Sequence, residues 1–277
     1  MAVKTTIITG ATSGIGQETA LALAKQGHAL YLLVRNTIKG DRLKEHIITT
    51  TGNKEIFIVK CDLTNLQSVR DAAAELNSKL FSITVLINNA GGIFAERQTT
   101  QNGLEMTFTT NHLGHFLLTE SLMPLLLKGQ ARIINVSSEA HRMGKPKFDD
   151  LQFEQGYSPF KAYGMNKLFN IYFAQSLAQK YGDKGILAFS LHPGLVATSF
   201  STGLKGIEKI IMWLAQPFMI TAEQGAETSI FLATAARLEK HNGSYFKKKK
   251  VAKTSSTAQN ADCRDRLWAI SEKLMAR

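Results

Sequence analysis

The strongest constraint in this chain is the alternation of short apolar runs with helix-like segments along its length. "VKTTIIT" precedes a segment from Gly14 to Gln26 with helical patterning, and "HALYLLV" precedes the charged stretch "KGDRLKEHIITT". "EIFIVK" leads into "NLQSVRDAAAELNSKL", and "ITVLINN" into a long helix expected from Gly103 to Leu127. "ARIINVSS" leads, through a longer connection, to the segment around Tyr163, and "GILAFSL" to a loop and two further helices. A late strand "GSYF" and a helix "CRDRLWAISEKLMA" follow. Most of the strand candidates are continuously apolar, as in a parallel sheet covered on both faces. Right-handed β-α crossovers then make one connected unit. The expectation is a single doubly wound α/β domain over residues 1–277, with a parallel seven-stranded sheet flanked by helices on both faces.

No Pro/Ser-rich linker, low-complexity block or internal repeat divides the chain, and no apolar run reaches the ~18 residues of a membrane span. "MAVKTTIITG" enters a strand at once, without the h-region of a signal peptide. Cys61 and Cys263 have no metal-ligand or CxxC spacing, so a reduced, cytoplasmic protein is expected. The net charge of +11 attracts anions in general, but no helix-turn-helix, zinc or aromatic RNA-binding signature accompanies it. Nucleic acid is therefore not an expected partner. The dense run Lys247 to Lys250 reads as a solvated loop.

Where the first strand meets its helix stand Gly10, Gly14 and Gly16, with Ser13 and Ile15 between them. Glycine lets the backbone turn tightly and a ligand approach closely, and a helix start offers free N–H groups to a pyrophosphate. The spacing is GxxxGxG rather than GxGxxG, and each glycine alone also suits a simple packing turn. The second strand ends in "LLVRN". An acidic residue there would suit the free ribose hydroxyls of NAD(H), whereas Arg35 suits a 2′-phosphate and points to NADP(H). An exposed strand-end charge is the plainer alternative. Lys39 and Arg42 add positive potential nearby.

In "SPFKAYGMNKLFNIYFAQSLAQKYG", Tyr163 and Lys167 are four residues apart, hence one turn apart on a helix. An ammonium near a phenol favours the phenolate and would make the tyrosine a usable proton donor or acceptor. A half-buried tyrosine beside a snorkelling lysine is the alternative reading of the same spacing. The seven histidines show no HExxH or comparable spacing, and no metal is expected. His112 and His115 read as packing or surface residues.

"TGATSGIG", "CDLTN", "NNAG", "INVSS", "YGMNK" and "HPGLVATS", in this order, resemble the short-chain dehydrogenase/reductase family over almost the whole chain. "TNHLGHFLLTESLMPLL", "RIINVSSEAH" and the C-terminal "GSYF…RLWAISEKL" are most similar to its retinol dehydrogenase and carbonyl reductase branch. The resemblance implies a Rossmann-type fold and a catalytic group of Asn111, Ser138, Tyr163 and Lys167, with the adjacent Ser137 as fallback for Ser138. It further implies cofactor contacts from the glycine loop, from Asp62 and Leu63 at the adenine end, and from Asn89, Ala90 and Gly91. Tyr163, Lys167, Pro193, Gly194, Val196 and Thr198 complete the implied cofactor set. Asn166 stands where many relatives have serine, a departure that bears on a neighbouring contact rather than on the Tyr–Lys pair.

On that basis the expected activity is NADP(H)-dependent interconversion of an apolar aldehyde or ketone and its alcohol. Tyr163 would exchange the proton, Ser138 would hydrogen-bond the substrate oxygen, and Lys167 would lower the tyrosine pKa and hold the nicotinamide ribose. Asn111 would hold a water linking Lys167 to solvent. The apolar stretch "KGIEKIIMWLAQPFMI" within about 199–220 reads as a substrate lid, with peripheral membrane contact a further possibility. The resemblance also implies a homodimer or homotetramer. The competing class is a catalytically silent NADP(H)-binding regulator on the same fold.

Overall fold

The computed structural model describes residues 3–196 and 219–276. The apolar runs form strands β1 (Thr5–Thr9), β2 (Ala29–Val34), β3 (Ile56–Lys60), β4 (Val85–Asn88), β5 (Arg132–Val136) and β6 (Leu187–His192). Their order in the sheet is β3-β2-β1-β4-β5-β6, all parallel. From β1 the chain builds outward through β2 and β3, then returns to place β4 on the other side of β1. At this reversal neighbouring crossovers leave on opposite faces, so a crevice opens at the carboxyl ends of the strands. Every residue of β4 is buried, as the continuous apolar run requires when both faces are covered.

Helices α1 (Gly14–Lys25), α2 (Thr37–Thr51) and α8 (Ala222–Thr234) cover one face. Their Leu23, Leu43, Ile47 and Leu232 share a core cluster with Ile8, Leu32 and Ile134 of the sheet. The other face carries α3 (Leu66–Lys79), α5 (Gly114–Ser121) and α7 (Pro159–Tyr181), clustering Leu76, Phe116, Phe169 and Tyr172 with Leu86 and Ile133. The last helix, α9 (Ala261–Met275), lies on α7. Its Trp268 meets Phe116 edge-on, with ring centroids 4.9 Å apart.

Among the described residues the sheet has eight strands, not seven, and is not wholly parallel. After β7 (Tyr245–Lys247), parallel to β6, the lysine run turns back into β8 (Lys250–Val251), which pairs antiparallel. The run is thus a hairpin rather than a loop. Lys248 and Lys249 both have left-handed φ, +51° and +61°, the backbone a two-residue hairpin needs to match strand twist. The turn is held on α8, where the Thr228 hydroxyl accepts from Lys249 N and Glu227 pairs with Lys249 Nζ at 2.7 Å.

The long helix expected from Gly103 to Leu127 is broken into pieces. It starts later, at α4 (Met106–Phe108), where the Glu105 carboxylate accepts from the Thr107 and Phe108 amides. A π-turn over Thr109–Leu113 joins α4 to α5, and Leu122 ends α5 ahead of α6 (Met123–Lys128), which has proline in its first turn. Among the described residues no helix is long and apolar enough to cross a membrane.

Candidate active site

A cleft of about 1220 Å³ runs along the carboxyl edge of the sheet and is lined by the connections that follow β1 to β6. Its floor is the glycine loop. Gly10 takes φ +67° and lies so close to Ala90 that an added Cβ would stand 2.8 Å from the Ala90 Cα. A Cβ on Gly16 would strike the Gly10 carbonyl oxygen and approach the Asn89 side chain. Side chains at these positions would displace the loop they pack on, so the cradle exists only because they are absent. The start of α1 therefore presents its amides to the cleft, with Ser13, Gly14 and Ile15 in the lining.

The Asn89–Gly91 segment is locked onto the end of β1. Asn89 N and Ala90 N both donate to Thr9 Oγ1 at 3.0 Å, and Asn89 Nδ2 donates to the Thr9 and Gly10 carbonyls. His115 Nε2 lies 2.9 Å from the same hydroxyl. His115 and His112 are both buried packing residues, the latter inside a ring of Phe108, Phe116, Phe169 and Phe173. Burial pushes both imidazoles down to about 3.

At the β2 end, Arg35 is exposed and lines the cleft, followed by Asn36, whose side chain caps α2 by accepting from Lys39 N. Lys39 also lines the cleft; Arg42 does not. Past β3 come Asp62 and Leu63. Asp62 Oδ1 accepts from Thr64 N and Thr64 Oγ1, while Asn65 caps α3.

At the far end, Ser138 follows β5, and Tyr163 and Lys167 project from α7. The Ser138 side chain is hydrogen-bonded to Tyr163 and accepts from Ala140 N at 3.2 Å. Ser137 Oγ instead donates to the Lys167 carbonyl oxygen at 2.6 Å, so it is occupied in tying β5 to α7. Glycines let the Ser138 turn press against the helix bearing Tyr163: a Cβ on Gly164 would lie 2.8 Å from the Ala140 carbonyl oxygen. Lys167 Nζ donates to Val136 O at 2.9 Å and stands 5.3 Å from the centre of the Tyr163 ring. Burial lowers the Lys167 ammonium to about 8.

The electrostatics differ from the sequence expectation on one point. Lys167 was expected to pull the Tyr163 pKa down, yet burial dominates and pushes the phenol up, with the Ser138 hydrogen bond acting the other way. The loss of solvation disfavours the phenolate more than the Ser138 hydrogen bond favours it. Tyr163 therefore sits in the site as a protonated phenol.

Asn111 does not line the cleft; it lies behind it, in the π-turn. Its Nδ2 donates to Gly92 O and Thr107 O at 3.0 Å, and its Oδ1 accepts from Gly92 N at 3.1 Å. A Cβ on Gly91 would strike Asn111 Oδ1 and lie 3.3 Å from Lys167 Nζ, so the three meet at one point. Asn166 bonds back to Ala162 O within its own helix. Pro193, Gly194 and Val196 line the cleft after β6, with Val196 bridged to Ile220. Thr198 and nearly all of the 199–220 lid expectation fall outside the described residues. Sequence reasoning missed Phe94, Met143 and Phe160, which line the cleft with Ser138 and Tyr163. The only signal was their nearness in sequence to "NNAG", Ser138 and Tyr163.

The short chain dehydrogenase family model matches residues 4–206. The chain is 38% identical over 274 residues to retinol dehydrogenase 12 of Mus musculus and 39% identical over 273 residues to retinol dehydrogenase 11 of Homo sapiens. Each alignment spans 98% of this chain and 86% of the relative. Among solved structures, a protein of Mycobacterium paratuberculosis superposes with TM-score 0.79 at 31% identity, covering 99% of this chain and 94% of that one. An NADPH-bound carbonyl reductase from chicken fatty liver shares the fold at TM-score 0.69 and 24% identity, over 92% of this chain and 100% of that one.

Proposed function

This chain belongs to the short-chain dehydrogenase family, and on that premise we propose that it is an NADP(H)-dependent oxidoreductase interconverting an apolar aldehyde or ketone and its alcohol. The observation that carries the proposal is that the Ser138–Tyr163–Lys167 group and the glycine cradle line one cleft, at carboxyl ends of the same parallel sheet.

The residues fit a dinucleotide. Side chains at Gly10 and Gly16 would close the floor, and the α1 amides face the place a pyrophosphate would take. Asp62 and Leu63 would border the adenosine half, Arg35 and Lys39 a 2′-phosphate, and Tyr163 and Lys167 the nicotinamide ribose. A bound nicotinamide supplies or accepts the hydride.

The chain's own groups handle the proton. Tyr163, held protonated by burial, gives its phenolic hydrogen to the carbonyl oxygen as negative charge develops there. The Ser138 hydroxyl, already hydrogen-bonded to Tyr163, offers a second bond to that oxygen. The Lys167 ammonium, 5.3 Å from the ring, stabilises the phenolate left behind. Asn111 holds the Gly91–Gly92 backbone against Lys167. Alcohol oxidation is the same sequence reversed. Phe94, Met143, Phe160 and Leu195 give the substrate end an apolar wall, in keeping with the retinol dehydrogenases the chain resembles.

The test is NADPH and NADH consumption with a panel of aromatic and long-chain aldehydes. Turnover with NADPH above NADH is expected. Tight NADPH binding without turnover on any member would instead assign the silent regulator.

A further inference from the structure

His141 stands three residues past Ser138, fully buried, and the chemistry above makes no use of it. Its Nδ1 lies 2.6 Å from the Ser138 carbonyl oxygen, and its Nε2 accepts the Ser255 backbone N–H at 3.2 Å. A backbone N–H can only donate, so Nε2 carries the lone pair. The neutral ring then bears its hydrogen on Nδ1 and donates it to Ser138 O. Burial lowers the imidazole pKa, with Arg142 and Glu139 acting in opposite senses beside it. The ring packs edge-on against Tyr245, centroids 5.0 Å apart, and the Tyr245 hydroxyl donates to Glu139 at 2.9 Å. Arg142 Nη2 donates to Lys253 O at 2.7 Å, tying the same turn to the same downstream segment.

We infer that His141 is a positioning residue for the reaction, bridging the Ser138 carbonyl to the Ser255 amide and so holding the Ser138 hydroxyl at Tyr163. The role rests on the function proposed for the site. The His141–Ser255 bond joins positions 114 residues apart, so the second anchor comes from the segment after β8 rather than from the catalytic helix. Without the bridge the Ser138 carbonyl keeps only the short-range backbone bond from His141 N, while the ties of Glu139 to His192 and Tyr245 and of Arg142 to Lys253 hold the residues after it and not Ser138 itself. The Ser138 hydroxyl then loses the fixed direction that gives it value for an oxygen whose charge develops only in the transition state.

The experiment uses the full chain, NADPH and whichever panel aldehyde is turned over. His141→Phe fills the space without either bond and is expected to lower kcat about tenfold to a hundredfold, as small misplacements of catalytic groups do. KM and the NADPH Kd are expected to stay within about twofold, because neither substrate nor cofactor touches the ring. His141→Gln, which offers both a donor and an acceptor, is expected to recover most of the lost kcat. In the wild-type protein, imidazole 15N shifts are expected to show a protonated Nδ1 and a bare Nε2 for His141. A folded His141→Phe enzyme with wild-type kcat overturns the inference, as does a hydrogen on Nε2. If His141→Phe does not fold, the 15N tautomer and the kcat of His141→Gln decide. Absence of wild-type turnover across the panel overturns the function of the site, whereas wild-type turnover with an unaffected His141→Phe overturns the positioning role alone.

Discussion

Lys167 Nζ stands 5.3 Å from the centre of the Tyr163 ring while it donates to the Val136 carbonyl at 2.9 Å. The tyrosine is thereby paired with a cation fixed from β5 rather than by a carboxylate. Replacing Tyr163 with Phe removes the proton donor and leaves the packing. Turnover is expected to fall by roughly 10²–10⁴ while the NADPH Kd, measured by fluorescence quenching, stays near wild type. Turnover left intact would remove Tyr163 from the mechanism.

The same lysine costs stability. Its folded pKa of about 8 lies below the ordinary 10.5, so between those values the unfolded chain binds the extra proton. Stability from this group therefore rises with pH from 8 to 10.5, and the full penalty, about 3 kcal/mol, applies below 8. Lys167→Met is expected to unfold at higher denaturant than wild type at pH 7, to lose this pH-dependent rise, and to turn over poorly. Denaturant unfolding at a series of pH values measures all but the last.

Arg35 is exposed on the cleft at the end of β2, with Lys39 beside it in the lining. Arg35→Ala is expected to weaken NADPH by about tenfold to a hundredfold, the range for one charge-assisted contact, and NADH by little. Lys39→Ala added to it is expected to weaken NADPH further. Equal losses for both cofactors would show that Arg35 does not meet a 2′-phosphate.

Gly16 leaves no room for a methyl group: its Cβ would strike the Gly10 carbonyl and lie 2.6 Å from Asn89 Nδ2. Gly16→Ala is expected to destabilise the fold by about 1–3 kcal/mol and to abolish NADPH binding, because relieving the clash moves the loop that forms the floor. A thermal melt and a cofactor titration on the same sample separate the two effects.

His112 is buried among phenylalanines with its pKa lowered to about 3, so it stays neutral in the fold while the unfolded chain protonates it below 6.5. The unfolded state binds more protons in that window, and stability falls as pH falls from 6.5 toward 3. His112→Phe is expected to flatten the slope of unfolding free energy between pH 6 and 4 by about one proton, or ~1.4 kcal/mol per pH unit. An unchanged slope would mean that His112 already binds its proton in the folded protein.

The alternating apolar runs, the glycines of "TGATSGIG" and the four-residue Tyr–Lys spacing were enough to specify the strand–helix order, the turn into α1 and the face shared by Tyr163 and Lys167. All three are short-range: strand and helix periodicity and left-handed glycine turns act within a few residues. The strand ends meet in one cleft only because the order reverses at β1 and β4. The hairpin of the lysine run and the π-turn at Asn111 are local departures that periodicity does not signal. The different partners of Ser137 and Ser138 depend on which hydroxyl faces α7 and which faces Tyr163. The His141–Ser255 bridge spans 114 positions, and the balance that leaves Tyr163 protonated is set by burial. These were decided in three dimensions, because hydrogen-bond partners and solvation belong to surfaces that meet only after the sheet is assembled.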